Sequence, residues 1–181
     1  MGHRLSKIVT RTGDAGETGL ADGSRLPKHG PRVQALGEVD ELNSQLGVLL
    51  ALPLPEGLRA PLAQVQHELF DLGGELSLPG AALIKESHLA RLESELGRLN
   101  AGLPPLKEFV LPGGNPAAAA AHLARAMARR AERAVWALHA EQPLNPLAPR
   151  YLNRLSDYLF VCARVLAREG GGSEVMWKKQ S

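Results

Sequence analysis

Cysteine is nearly absent from this chain: Cys162 is its only thiol in 181 residues, and no Asn-x-Ser/Thr acceptor occurs. No disulfide can close within the chain and nothing points to an oxidising compartment, so the cytoplasm is the expected location. Aromatic residues are scarce at 4%, which argues against base stacking on a nucleic-acid strand. Charge of one sign is lacking as well. Lys and Arg total 21 against 19 Asp and Glu, a formal balance of +2, and no run of five like charges is present. That excludes a basic tail held by nucleic acid or anionic lipid. The longest apolar stretches, such as Leu46 to Pro55, fall far short of the roughly 18 residues a bilayer span requires. The start of the chain has no apolar secretory region, so it reads as mature from its first residues. Met1-Gly2-His3-Arg4-Leu5-Ser6 fits the loose myristoylation pattern but carries no second membrane signal, and no membrane attachment is expected.

What is present is a helical period. After a segment 1–31 rich in Gly, Thr, Asp and basic residues, Val33, Leu36, Val39, Leu42 and Leu46 recur at three and four, predicting a helix from Arg32 to about Pro53. Further helices are expected over Leu58 to Leu76, with Gly73-Gly74 as a place for close helix packing, and from Lys85 to Leu99. Between Asn100 and Pro116 prolines and glycines enforce irregular chain. Asn115 is a suitable N-cap, with Pro116 at the first helical position of an alanine-rich helix to about Glu141. The last helix follows Pro146 and Pro149 and stops at Gly170-Gly171-Gly172. The expected fold is all-α, a single five-helix bundle of ferritin-like, up-down type over residues 32–169. An irregular Gly/Thr-rich loop precedes it and a tail, 170–181, follows.

The alanine-rich helix carries the chemistry. Leu123, Met127, Ala131, Ala134 and Leu138 fall in one stripe, the expected core face, while His122, Arg125, Arg129, Glu132 and Arg133 gather opposite. Such arginines repel one another unless an anion lies between them. Two readings compete: a solvated face with Glu132 as internal partner, and a clamp for phosphate oxygens. Thr10 to Gly19 offers a second anion site, since its glycines let backbone N–H groups form a concave nest, with Lys28 and Arg32 downstream as further charge. It is not a Walker A loop, because no Gly-Lys-Ser/Thr follows. Asp40, beside Glu38 and Glu41, needs a cationic partner if it is more than a dipole complement. Scattered histidines and one cysteine give no protein metal site, and Cys162 reads as a core residue, not a nucleophile.

Five segments, taken together, resemble one family. They are Thr10-Arg11-Thr12-Gly13-Asp14-x-Gly16-x-Thr18, Gly37-Glu38-Val39-Asp40-Glu41-Leu42-Asn43-Ser44, Phe109-Val110-Leu111-Pro112-Gly113-Gly114, Arg129-Arg130-Ala131-Glu132-Arg133 and Asn153-Arg154-Leu155-Ser156-Asp157-Tyr158. Their order and spacing are similar to those of the PduO-type ATP:cob(I)alamin adenosyltransferases, over residues 8 to about 168. The resemblance implies transfer of the 5′-deoxyadenosyl group of ATP, carried with Mg²⁺, to the cobalt of cob(I)alamin, giving adenosylcobalamin and triphosphate. It implies a homotrimer with sites between subunits, a reductase that supplies cob(I)alamin from cob(II)alamin, and an adenosylcobalamin-dependent enzyme downstream, with no nucleic acid or membrane partner. It assigns ATP contacts to Thr10, Arg11, Thr12, Gly13, Thr18, Gly19, Lys28, Arg129, Arg130, Glu132, Arg133 and Asn153. Arg129, Arg125, Asp40 and Phe109 are the catalytic set. Asp40 and Arg125 match a salt bridge across the subunit interface beside the corrinoid, and Phe109 matches the aromatic that displaces the lower axial ligand of cobalt. Arg11 stands where Lys is frequent and Leu36 where Tyr is. Segments 53–61 and 79–100 carry little family signature and read as scaffold; residues 170–181 carry no functional reading. A nucleotide-sensing bundle and an RNA-binding bundle are the competing functions.

Overall fold

The computed structural model describes residues 8–179. The readings made for residues before Ile8, the myristoylation pattern among them, and for the last two residues of the tail lie outside the described residues. Five helices dominate: α1 (Pro31–Leu50), α2 (Glu56–Ser77), α3 (Glu86–Asn100), α4 (Pro116–Glu141) and α5 (Leu147–Arg168). All but α3, which follows Lys85, start beside a proline or an asparagine. Pro31 opens α1, and Asn115 caps α4 by accepting from Ala118 N at 2.9 Å. In space α1 packs on α2 and α4, and α5 packs on α4 and α3. Among the described residues no helix is long and apolar enough to cross a membrane.

The N-terminal segment is not wholly irregular. Glu17–Gly19 (β1) pairs antiparallel with Arg25–Pro27 (β2). Asp22 closes the turn by accepting from both the N–H and the hydroxyl of Ser24, and Gly23 takes a φ of 85° that an L side chain resists. Ala21 N donates to Ser77 O at 3.0 Å, tying the hairpin to the end of α2.

The core face of α4 also differs from the expected stripe. Ala118, Ala121, Ala124, Ala128, Ala131, Val135 and Leu138 are buried, whereas Leu123 is 52% exposed and His122 is buried. Alanines carry little hydropathy, but their small size lets α4 approach α1 and α5 closely, and the larger leucines of those helices fill the space. Several polar side chains inside the bundle find partners there, although Asn43 Oδ1, Glu75 Oε1 and the Tyr158 hydroxyl have none among the described residues. Arg91 donates to both oxygens of the buried Glu68 at 2.9 and 2.7 Å, and Tyr151 adds its hydroxyl at 2.8 Å. Arg32, expected near an anion, is buried and donates instead to Leu76 O and Gln142 Oε1, so it joins α1 to the ends of α2 and α4. Asn43 and Gln66 exchange side-chain-to-carbonyl bonds of 3.2 Å each, locking α1 to α2.

Candidate functional site

The candidate residues fall into three neighbourhoods. The first is the turn ahead of β1. Arg11 sits in the left-handed region at φ 60°, the hydroxyls of Thr10 and Thr12 stand 3.0 Å apart, and Gly16 N donates to Gly13 O at 3.2 Å. Lys28 N donates to Gly16 O at 2.8 Å, and its ammonium folds back so closely that a Cβ on Gly13 would stand 2.9 Å from Nζ. Glycine at 13 is what admits the cation. Two hydroxyls and one ammonium thus gather on a short stretch of chain, groups of the kind that bind phosphate oxygens.

The second is a groove of about 540 Å³ between the hairpin, α1 and α2, lined by Thr18, Gly19, Gly37, Asp40, Phe70 and Gly73 among others. Asp40 is exposed at its wall and Phe70 is 73% exposed. A Cβ on Gly37 or Gly73 would meet nothing within 4 Å. Gly73 is therefore not a close helix contact, as the sequence suggested; it keeps the groove floor flat.

The third lies along α4. Arg129 and Arg133 are exposed, and Arg133 Nη1 donates to Arg129 O at 3.0 Å. Among the described residues neither meets a carboxylate. Arg130 behaves differently, because it pairs with both Glu38 and Glu41 of α1. Glu132 accepts from Asn153 of α5 at 3.3 Å. One helical turn back from Arg129, Arg125 keeps its buried Nε without a hydrogen-bond partner. Burial first, then the charge of Arg129, hold its guanidinium below the ordinary arginine value. Arg125 also lines a pocket of about 400 Å³ with Phe109, Val110, His122, Phe160 and Leu106. Phe109 is 79% exposed on its loop. Lys107 and Glu108 line it as well, so an apolar wall of Leu106, Phe109, Val110 and Phe160 is edged by charged groups, and Arg125 joins the pocket to the arginines of α4.

Asp40 and Arg125 line separate cavities, and no ion pair joins them among the described residues. Thr18 and Gly19 share the groove with Asp40, while Phe109 and Arg125 share the α4 pocket. Sequence reasoning put His122 on the solvent side and passed over Phe160; the two rings are tilted at 58° with centroids 6.1 Å apart. The period-3.6 position of Phe160 beside Tyr158 and Leu159 gave no sign that it opens on a pocket. It also passed over the tail, where Trp177 meets Phe109. Cys162 is a core residue, its thiol pushed up to about 12 by burial.

The model of the cobalamin adenosyltransferase family matches residues 8–166. A cobalamin adenosyltransferase from Cupriavidus metallidurans is 59% identical over 99% of this chain and 98% of its own length. A corrinoid adenosyltransferase from Mycobacterium bovis is 44% identical over 98% and 96%. Among solved structures, a variant PduO-type ATP:corrinoid adenosyltransferase from Lactobacillus reuteri, complexed with cobalamin and ATP, superposes with a TM-score of 0.91 at 35% identity, covering 96% of this chain and all of that one. With an extended match of this kind laid over a five-helix bundle and an arginine-lined helix, this chain belongs to the cobalamin adenosyltransferase family.

Proposed function

We propose that the chain transfers the 5′-deoxyadenosyl group of ATP to the cobalt of cob(I)alamin, forming adenosylcobalamin and triphosphate. The observation that carries this reading is the junction at Arg125. There a helix face whose Arg129 and Arg133 meet no carboxylate among the described residues, suited to phosphate, meets a pocket built on Phe109 and Phe160, suited to a corrinoid face. Cobalt(I) brings its own electron pair, so the protein needs no side-chain nucleophile, and Cys162 is buried and inert. That pair forms the Co–C bond at C5′, and the pair of the breaking C5′–O bond leaves on triphosphate. Arg129 and Arg133 hold the growing charge, with Mg²⁺ arriving on the ATP phosphates. Thr10, Arg11, Thr12, Gly13, Thr18, Gly19 and Lys28 wrap the phosphate chain. Glu132 and Asn153, bonded to each other, orient on the nucleotide side, as does Arg130 once α1 has fixed it. Phe109 keeps water and the lower ligand from cobalt, which eases reduction of cob(II)alamin.

Asp40 and Arg125, each facing a different cavity, are read as partners between subunits of a homotrimer. That reading accounts for an arginine Nε buried without a partner in one chain. The chain works as one domain, in the cytoplasm that its lone cysteine fits, receiving cob(I)alamin from a reductase and passing product to an adenosylcobalamin-dependent enzyme. The test is an anaerobic assay with chemically reduced cobalamin and MgATP. Loss of the Co(I) band with a light-sensitive Co–C product and one triphosphate per turnover is expected. ATP binding without that product would make the protein a nucleotide sensor instead.

A further inference from the structure

The segment after α5 has an unusual chemistry for a chain end. Glu174 has a side chain only 1% exposed, and it accepts from Arg164 Nε at 2.5 Å and from Arg168 Nη1 at 2.9 Å. The same buried Arg164 donates through Nη2 to Pro104 O at 2.8 Å, at the start of the loop that carries Phe109. Beyond Glu174 the tail runs along that loop. Leu111 N donates to Val175 O at 2.8 Å, Trp177 N donates to Phe109 O at 2.7 Å, and Val110 and Met176 form an antiparallel bridge. The Trp177 ring meets the Phe109 ring edge-on, with centroids 6.5 Å apart and planes at 70°.

One guanidinium therefore grips both strands of a strap, the loop at Pro104 and the tail at Glu174. Burying two charges is costly unless hydrogen bonds satisfy them, and such pairs are often no more stabilising than apolar packing. What a charged clasp adds is register, because shifting the tail by one residue would strand the carboxylate in the interior. The Phe109 ring, mostly exposed, has no core packing to hold it; its backbone carbonyl and its ring edge are both held by Trp177.

We propose, on the reading of Phe109 given above, that Glu174 acting through Arg164 is a positioning residue that sets where Phe109 stands over the corrinoid. Full-length Glu174→Gln keeps the shape and removes the charge. Its turnover from cob(II)alamin with reductant and MgATP is expected to fall about tenfold, within the ~100-fold that a misplacement of about 1 Å costs. Turnover from pre-reduced cob(I)alamin and the KM for ATP stay unchanged, and the paramagnetic resonance signature of four-coordinate cob(II)alamin weakens. In a Phe109→Ala background the same change adds no further split between the two routes. Equal losses on both routes, no loss on either, or additive losses in the double variant overturn the role. If Phe109→Ala alone shows no split, the reading of Phe109 fails and the Glu174 role falls with it. A split in Phe109→Ala without one in Glu174→Gln overturns the Glu174 role only. Should Glu174→Gln not fold, Trp177→Ala tests the half-exposed end of the same strap against the same outcomes.

Discussion

At the junction of α2, α3 and α5 the Arg91 guanidinium lies against both oxygens of Glu68, and the Tyr151 hydroxyl and Gln64 amide donate to it as well. On α4 Arg129 stands exposed with no carboxylate among the described residues, and Arg125 behind it has a buried Nε without a partner. The same side chain does two jobs, and pairing separates them better than burial does. An arginine that meets a carboxylate within the chain, as Arg91 meets Glu68, ties helices together. One whose donors are open is waiting for oxygens that the chain does not own.

The strongest way to break this contrast is Arg129→Ala. Turnover from cob(I)alamin with saturating ATP should fall on the order of 10²-fold, as when one fixed donor to a developing anion is removed. The urea midpoint should not move, because no internal bond is lost. Near-normal turnover would take Arg129 out of the mechanism. Arg91→Ala is the mirror experiment. It leaves the buried Glu68 with only the neutral donors Tyr151 and Gln64, the latter at 3.4 Å, and unfolding in urea should show a loss of about 3 kcal/mol, while the folded fraction keeps the turnover of the parent. A stable variant would mean that the Glu68 site can take up water.

Arg130 sharpens the comparison, since it adjoins Arg129 yet is held by Glu38 and Glu41. Arg130 and Glu41 are solvent-screened while Glu38 is mostly buried, so Arg130→Ala should cost about 1 kcal/mol of stability. Its effect on the KM for ATP should be smaller than that of Arg129→Ala. A larger one, measured by initial rates across ATP concentration, would show that the α1 carboxylates release Arg130 when nucleotide arrives.

Much of this architecture was legible because its signals are local. Leucines at three and four residues wrote the helices, and Asn115 and the glycines after Arg168 wrote the start of α4 and the stop of α5. The N-terminal hairpin was equally local but went unread, although Asp22-Gly23 is a strong turn signal. The core face of α4 was misread because Leu123 outweighs alanine on any hydropathy scale, while close packing rewards the smaller residue. The arginines and the Thr/Gly turn of the site stood out as residue types. The strap did not: Glu174 looks like any exposed acid until Arg164, ten residues earlier, is seen to bury it. Asp40 and Arg125, proposed above as partners between subunits, face different cavities of one chain.

The smallest effect concerns His122, the buried neighbour of the unpaired Arg125. Burial first, and the charge of Arg125 second, hold its imidazole below the ordinary 6.5, with Glu174 of the tail pulling weakly the other way. Lys107 and Glu108 also line its pocket. Because the folded-state value is the lower one, the unfolded chain takes up a proton that the folded chain refuses. Stability is therefore complete above 6.5 and declines as pH falls from there toward the depressed folded value. At neutral pH nothing changes, which is why this effect comes last. Urea unfolding at about pH 7.5 and about pH 5.5 should show the decline in the parent and a shallower one in His122→Gln, which has no proton to gain. Equal slopes in the two proteins would mean that His122 protonates in place, which Arg125 would tolerate only if an anion, such as the carboxylate of Glu174, had moved in beside it.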